Sequence, residues 1–303
     1  PEPEPGPGEV VVAPTAIGVN YIDTYHRSGL YPLPLPFVPG LEHAGTVTAV
    51  GPDVAWPSVG DRVATSSALG SYAEAVVVDA DRLVPVPDGV PDEVAAAVML
   101  QGMTAHYLTA DTYPLGPGDR CLIHAGAGGV GLLAIQLAVA AGAEVFTTVS
   151  GEEKATLASG AGAHHVIRYD ETRFDEAVRD LTGSERPLDV VYDGVGVATL
   201  EAGLGLLRPR GLMVLFGQAS GPVPPIDLQV LSANGSLYVT RPTMAHYLAD
   251  RPELEARAGA VLGAVADGRL GVRIGLRRPL DEAADAHREL EGRRTTGKVL
   301  LLP

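Results

Sequence analysis

Residues 120–131 read Arg-Cys-Leu-Ile-His-Ala-Gly-Ala-Gly-Gly-Val-Gly. An apolar run, Cys121 to Ala125, meets glycines at Gly126, Gly128 and Gly131. It passes at once into a segment where Val130, Leu133, Ala134, Leu137, Ala138 and Ala141 share one i, i+3, i+4 face. Strand, G-x-G-x-x-G turn and helix in that order leave few folds open. Each glycine answers a demand of a dinucleotide-binding turn: Gly126 permits the tight bend, Gly128 lets backbone approach a pyrophosphate, and Gly131 lets helix and strand pack closely. The helix N-terminus offers unpaired N–H groups and a positive dipole end to phosphate. In a chain with 37 glycines a Gly-rich loop also meets this pattern, so the flanking segments decide.

Those segments alternate. Strand Arg120–Ala125 leads to helix Val130–Ala141, strand Glu144–Val149 to a helix from Glu152, strand His164–Tyr169 to a helix around Phe174–Leu181, and strand Asp189–Asp193 to a helix around Ala198–Leu207. Strands Leu212–Gly217 and Ser236–Arg241 close the series, predicting a six-stranded, parallel, doubly wound α/β sheet. Upstream, the Pro/Glu/Gly run Pro1–Gly8 reads as a linker or exposed connection. Short β runs follow at Val10–Ala13, Ala16–Val19, Gly45–Val50, Gly60–Ala64 and Tyr72–Val78, with a helical turn or two over 20–31 ended by Gly29. Such runs between Gly/Pro turns predict a β-rich domain. A helix begins at Asp92 after Pro91. The stretch 242–303, with an amphipathic helix Leu254 to Ala266 and a final strand Lys298–Leu302, is too short to stand alone. The expected division is therefore 1–102 with 242–303 as one discontinuous domain and 103–241 as the other.

Composition narrows the function classes. The single cysteine, Cys121, excludes an internal disulfide and any multi-cysteine metal site, and its place in an apolar strand reads as a buried structural thiol. Gln136 interrupts the longest apolar run, so no membrane span is expected. No basic segment precedes an apolar one as in a signal peptide, and the cytosol is the expected compartment. A net charge of −15 disfavours nucleic acid as a partner, because phosphate binding needs clustered cations. Of 22 basic residues only Lys154 and Lys298 are lysines.

Lys154 bears on the cofactor. The second strand ends at Ser150, about twenty residues beyond the first glycine, where an NAD-preferring turn carries Asp or Glu for the ribose hydroxyls. Here Ser150-Gly-Glu-Glu-Lys154 offers a hydroxyl and, one helical turn on, a cation. That pair suits a 2′-phosphate and hence NADPH, provided Glu152 and Glu153 face solvent.

The segments Gly18 to Tyr31, Pro39-Gly-Leu-Glu-His-Ala-Gly45, Gly60-Asp-Arg-Val63, Leu100 to Ala105, His124 to Gly131, Tyr192 to Gly196, Gly211 to Gly217 and Ser236 to Pro242 together resemble the zinc-independent, zeta-crystallin-like quinone oxidoreductases of the medium-chain dehydrogenase/reductase superfamily. The likeness covers essentially the whole chain. It departs at the front, where relatives carry a further strand ahead of the Pro-Glu-Pro stretch; either this numbering omits it or the protein lacks it. The resemblance implies a GroES-like catalytic domain around a Rossmann domain. Zinc-dependent cousins hold their metal with Cys and His where this chain has Asn20 and Leu41, so no metal is expected, and His43 reads as structural.

The resemblance further implies a nicotinamide pocket lined by Asn20, Asp23, Tyr25 and Tyr31, with Thr104 near the nicotinamide. It implies Gly128, Gly129 and Val130 on the pyrophosphate, and Ser150, Lys154 and Tyr169 around the 2′-phosphate. Backbone at Phe216, Gly217 and Gln218 would orient the carboxamide, and Arg241 and Lys298 would approach the cofactor. The expected reaction is hydride transfer from NADPH to a quinone, with Asn20 and a tyrosine as donors to the developing oxyanion. A reductase of enones or enoyl thioesters with the same cofactor is the enzymatic alternative. A non-catalytic NADPH- or RNA-binding protein is the alternative of another class, and a gel-shift with AU-rich RNA separates it. By analogy, the last strand of the parallel sheet pairs across a two-fold axis in a homodimer.

Replacing Lys154 with Ala is expected to weaken NADPH binding by about 1.5–3 kcal/mol, roughly tenfold or more, and to leave NADH binding nearly unchanged. Titration of both cofactors against the variant checks this, and equal losses would contradict it.

Overall fold

The computed structural model describes residues 3–303. Within the Pro1–Gly8 run, Pro1 and Glu2 lie outside the described residues. In chain order the elements are β1 (Glu9–Val19), α1 (Tyr21–Ser28), β2 (Glu42–Val50), β3 (Arg62–Thr65), β4 (Val76–Asp79), β5 (Val84–Pro85) and α2 (Asp92–Tyr107). Then come β6 (Arg120–His124), α3 (Gly129–Ala140), β7 (Glu144–Val149), α4 (Glu152–Gly160), β8 (His165–Arg168), α5 (Phe174–Thr182), β9 (Leu188–Asp193), α6 (Leu200–Leu206), β10 (Leu207–Leu215), α7 (Gln229–Ala233) and β11 (Tyr238–Thr240). The chain ends with α8 (Arg251–Ala266), β12 (Ile274–Pro279), α9 (Ala283–Glu291) and β13 (Lys298–Leu302). Two units result: one runs to Met103 and resumes over Leu248–Pro303, and the other spans Thr104–Tyr247.

The discontinuous unit is built on β1. Over Glu9–Val12 it pairs with β4, over Ile17–Val19 with β13, and along most of its length with β2. The sheet runs β12-β13-β1-β2-β3-β5. The sequence reads β1 as two runs because Pro14 stands between them. The structure keeps one strand and shifts its register against β2 between Pro14 and Ala16. Proline has no N–H for the ladder, so an irregularity is where a strand tolerates it. Alternating valines, Val10 and Val12 with Val47, Val63, Val76 and Val78, fill the core beneath. The expected strand from Tyr72 starts only at Val76. The N–H groups of Ser71 and Tyr72 are taken by the carbonyls of Gly40 and Pro39, so this stretch cannot join a ladder.

The second unit holds the six-stranded sheet, ordered β11-β10-β9-β6-β7-β8, with every neighbouring pair parallel. Two halves wind outward in opposite senses from β6 and β9. The carboxyl ends of those two strands form the switch point where such sheets bind ligands. The Gly126–Gly131 turn follows β6 and the Asp193–Gly196 turn follows β9. A Cβ at Gly126 would come within 2.0 Å of Thr147 Oγ1, and one at Gly131 within 2.3 Å of the Ala125 carbonyl oxygen. The turn therefore requires glycine at both positions. Among the described residues no helix is long and apolar enough to cross a membrane.

Candidate active site

In the discontinuous unit the site grows from the first turn of α1. Asn20, in extended conformation, is its N-cap residue. Asp23, three residues on, reaches back so that its Oδ2 accepts the Asn20 N–H at 2.8 Å. The Asn20 side chain is held from two sides. Its Nδ2 donates to Glu42 Oε2 at 2.7 Å, while its Oδ1 accepts from Lys298 Nζ at 2.8 Å and from Gln101 Nε2 at 3.3 Å. Lys298 Nζ also pairs with Glu42 Oε2, and the N–H of Leu100 donates to Glu42 Oε1 at 2.6 Å. Glu42 and Lys298 are 0% and 1% exposed, so this is a fully desolvated ion pair. Burial pushes the Lys298 ammonium below its ordinary pKa, and Glu42 opposes that shift.

Asp23 is the second buried carboxyl. Tyr72 donates to its Oδ2 at 2.9 Å, and its Oδ1 is buried with no hydrogen-bond partner among the described residues. Burial raises its pKa to about 7; the bonds from Asn20 and Tyr72 and the charge of Lys298 pull it down, and Glu42 adds to the rise. Tyr25 is buried and meets Tyr31 edge-on, with ring centroids 5.1 Å apart, and Tyr21 on its other side at 5.4 Å. His43 is buried with Nδ1 against Ser71 Oγ at 2.9 Å, and desolvation lowers its pKa to about 4.

In the Thr104–Tyr247 unit, Gly128 caps α3 and brings no side chain to its N-terminus, nor does its first turn carry an acid. The donors there suit an anionic ligand. Lys154 Nζ lies 3.3 Å from Ser150 Oγ. Glu152 and Glu153 are exposed, and Glu152 pairs with Arg168 at 3.1 Å. Tyr169 is 44% exposed just beyond β8. Phe216 and Gly217 follow β10, and the Phe216 N–H donates to the Asp193 carbonyl at 2.9 Å. Gln218 is 9% exposed, and Arg241 Nη1 reaches the Leu215 carbonyl at 3.2 Å. Thr104 is buried with its hydroxyl 3.8 Å from Met244 Sδ. Cys121 is buried and burial raises its thiol pKa.

The first unit thus brings Asn20, Asp23, Tyr25 and Tyr31 onto and beside α1, while the second gathers the glycine turn and the Ser150–Lys154 pair. Two expectations read differently. Lys298, expected at the cofactor, ends in the ion pair with Glu42. The amide of Asn20, expected as an oxyanion donor, is engaged within the protein. Sequence reasoning missed Glu42, Tyr72 and His287. The one available signal was that Lys298 opens a strand whose next residues are all apolar, which places a cation among buried neighbours.

Asp23 fixes a sign. Between about pH 4 and pH 7 an unfolded Asp is ionised while the folded one keeps its proton. The folded state binds more protons in that window, so this group's contribution is complete at the acid end and is lost as pH rises. Wild type should lose stability with a slope of at most about 1.4 kcal/mol per pH unit that Asp23→Asn lacks. Urea denaturation across the window reads the difference, and parallel curves would contradict the placement.

The chain matches the family model of the alcohol dehydrogenase GroES-like domain over residues 6–88 and that of zinc-binding dehydrogenases over 129–252. It is 51% identical to a quinone oxidoreductase of Pseudomonas aeruginosa across 99% of this chain and 93% of that protein. It is 44% identical to a 2-haloacrylate reductase of a Burkholderia species across 99% of this chain and 92% of the other. The crystal structure of Escherichia coli quinone oxidoreductase complexed with NADPH superposes with a TM-score of 0.96 at 42% identity, covering all of this chain and 94% of that one. With both family models matched and close identity running nearly end to end, the chain belongs to the quinone oxidoreductase family of the medium-chain dehydrogenase/reductase superfamily.

Proposed function

We propose that the protein reduces a quinone with NADPH by hydride transfer. The full-length likeness to quinone oxidoreductases, one of them solved with NADPH, carries the reading. The residues fit the cofactor: the α3 N-terminus has no capping side chain or acid of its own, and Ser150 with Lys154 presents a hydroxyl and an ammonium. In this reading Gly128, Gly129 and Val130 lie on the pyrophosphate, Ser150, Lys154 and Tyr169 hold the 2′-phosphate, and Phe216, Gly217, Gln218, Thr104 and Arg241 serve the nicotinamide end. NADPH, when bound, supplies the hydride. Asn20 and Leu41 stand where zinc-dependent relatives place ligands, a pair that does not suit zinc, so hydrogen-bond donors must stabilise the charge that develops on the acceptor.

Tyr31, half-buried against Tyr25, supplies that hydrogen bond, and the Glu42–Lys298 pair holds the Asn20 side chain in place. A quinone takes its protons from water once reduced, whereas a conjugated carbonyl reacts through an enolate that needs a donor. The 44% identity to a 2-haloacrylate reductase favours a second reading, reduction of a conjugated carboxylate or carbonyl by the same machinery. We assign the reaction to the cytosol. The protein acts as a homodimer paired through β11, whose Tyr238 and Val239 are 61% and 37% exposed at the edge of the parallel sheet.

NADPH oxidation with benzoquinone, phenanthrenequinone, crotonyl-CoA and 2-chloroacrylate, repeated with NADH, tests the reading. Quinone turnover with NADPH alone is expected, and turnover restricted to the thioester or the haloacrylate would replace it. Tyr31→Phe should lower enone reduction by about a hundredfold and quinone reduction by less, since only the enone also needs its proton. An unchanged enone rate removes Tyr31 from proton donation. Light scattering should return twice the chain mass, and a monomer would contradict the β11 pairing.

A further inference from the structure

Three side chains outside the set assigned above, Arg27, His287 and Tyr72, form a directed chain that ends on Asp23. Arg27, on α1, donates from Nη2 to Glu291 at 2.7 Å and from Nη1 to His287 Nδ1 at 3.0 Å. A guanidinium can only donate, so His287 Nδ1 is the acceptor and its proton sits on Nε2. Nε2–H then donates to the Tyr72 oxygen, 2.9 Å away, and the Tyr72 hydroxyl is left to donate to Asp23 Oδ2 at 2.9 Å. Every hydrogen in the series points toward Asp23. The rings of Tyr72 and His287 meet edge-on with centroids 5.7 Å apart. Gly40 makes room for the tyrosine, since a Cβ there would stand 2.3 Å from Tyr72 Cδ1. His287 is 3% exposed. A buried polar series with one consistent set of proton positions fixes what it touches.

We propose that Tyr72 and His287 are positioning residues of the reductase site: through Asp23 they hold the first turn of α1, and with it Asn20, Tyr25 and Tyr31, in working geometry. The inference rests on the reading that these residues serve acceptor reduction.

Oδ2 of Asp23 accepts both the Asn20 N–H and the Tyr72 hydroxyl, while Oδ1 has no partner among the described residues. A proton therefore has only Oδ1 to occupy, and gaining it removes the charge that strengthens both bonds to Oδ2. Besides the Asn20 N–H, the groups that face Asp23 or its donor are Tyr72 from the loop before β4, His287 from α9, Lys298 from β13 and Glu42 from β2, with Arg27 acting on Tyr72 from α1. Burial, then Arg27, lowers the His287 pKa, so the imidazole stays neutral; burial, then Asp23, raises that of Tyr72 well above its ordinary value, so it stays a donor. Asp23, near 7, is the member that titrates at working pH. The Tyr72 bond favours the ionised form, and its removal moves the titration upward.

The test is kcat/KM against pH, together with urea stability against pH, for wild type, Tyr72→Phe, His287→Gln and His287→Ala. Wild-type activity should rise through a midpoint near 7. In Tyr72→Phe both midpoints should move up by about one pH unit. His287→Gln should keep the wild-type profile, because an amide can accept from Arg27 and donate to Tyr72 without titrating. His287→Ala should shift upward, and carries the comparison if Tyr72→Phe does not fold. An active wild type whose midpoints stay put in both shifting variants overturns the proposal. So does a glutamine variant as impaired as the alanine one, since the imidazole would then act by proton transfer. An inactive wild type whose stability midpoint still moves in Tyr72→Phe upholds the link to Asp23 and overturns the reductase reading instead.

Discussion

A carboxylate and an ammonium with almost no exposed surface face each other at the centre of the discontinuous unit, and its local order converges on them. Glu42 projects from β2 and Lys298 from the first position of β13, so the pair fastens a strand late in the chain to one early in it. Burying two charges costs several kcal/mol per ion unless the remaining lone pairs and protons are met. Here they are met by the N–H of Leu100 on α2 and by both ends of the Asn20 amide. Asn20 begins α1, and α1 carries Asp23 and Tyr25. One ion pair thus orders two strands and two helices, and fixes the amide that opens the helix of the candidate site. An apolar pair of similar volume would fill the space as well but would strip that amide of its two charged partners.

The parallel unit reaches order by different means. Its core is apolar, with Leu122, Phe146, Val191 and Met213 packed in one cluster. Its binding features follow from topology: the sheet reverses its winding between β6 and β9, and both strands end there in glycine-containing turns. Steric room at Gly126 and Gly131 lets α3 begin close against the strand, with its N-terminus uncapped. Hydrophobic burial makes the platform, and backbone N–H groups with one serine–lysine pair make it selective for an anion.

The parallel sheet was legible because its signals are local. Apolar runs, caps and helix periodicity lie within a few residues of the elements they specify, and β7 over Glu144–Val149 has the bounds read from the sequence. The β-rich unit was less so. Pro14 split a strand that the structure bends, and the Tyr72 stretch has the composition of a strand while its N–H groups are claimed by Gly40 and Pro39. Residues of the candidate site on α1 came from motif resemblance, since nothing local distinguishes Asp23 from a surface acid. Glu42, Lys298, Tyr72 and His287 find their partners 22 to 278 residues away from Asn20, Asp23 and one another. No periodicity encodes such pairings. The hints that Lys298 was placed for a purpose were the two-lysine composition and the apolar strand it opens.

The claim on which the rest leans is that Glu42 and Lys298 work as one coupled unit. A double-mutant cycle by urea denaturation, with Glu42→Gln, Lys298→Met and the pair together, measures it directly. Each single change should destabilise by about 3–5 kcal/mol, and the double change should fall short of their sum by about 1–3 kcal/mol, because the second removes a group already stranded. Additive losses would show that the two charges are held independently, and would contradict the account of how the site is ordered.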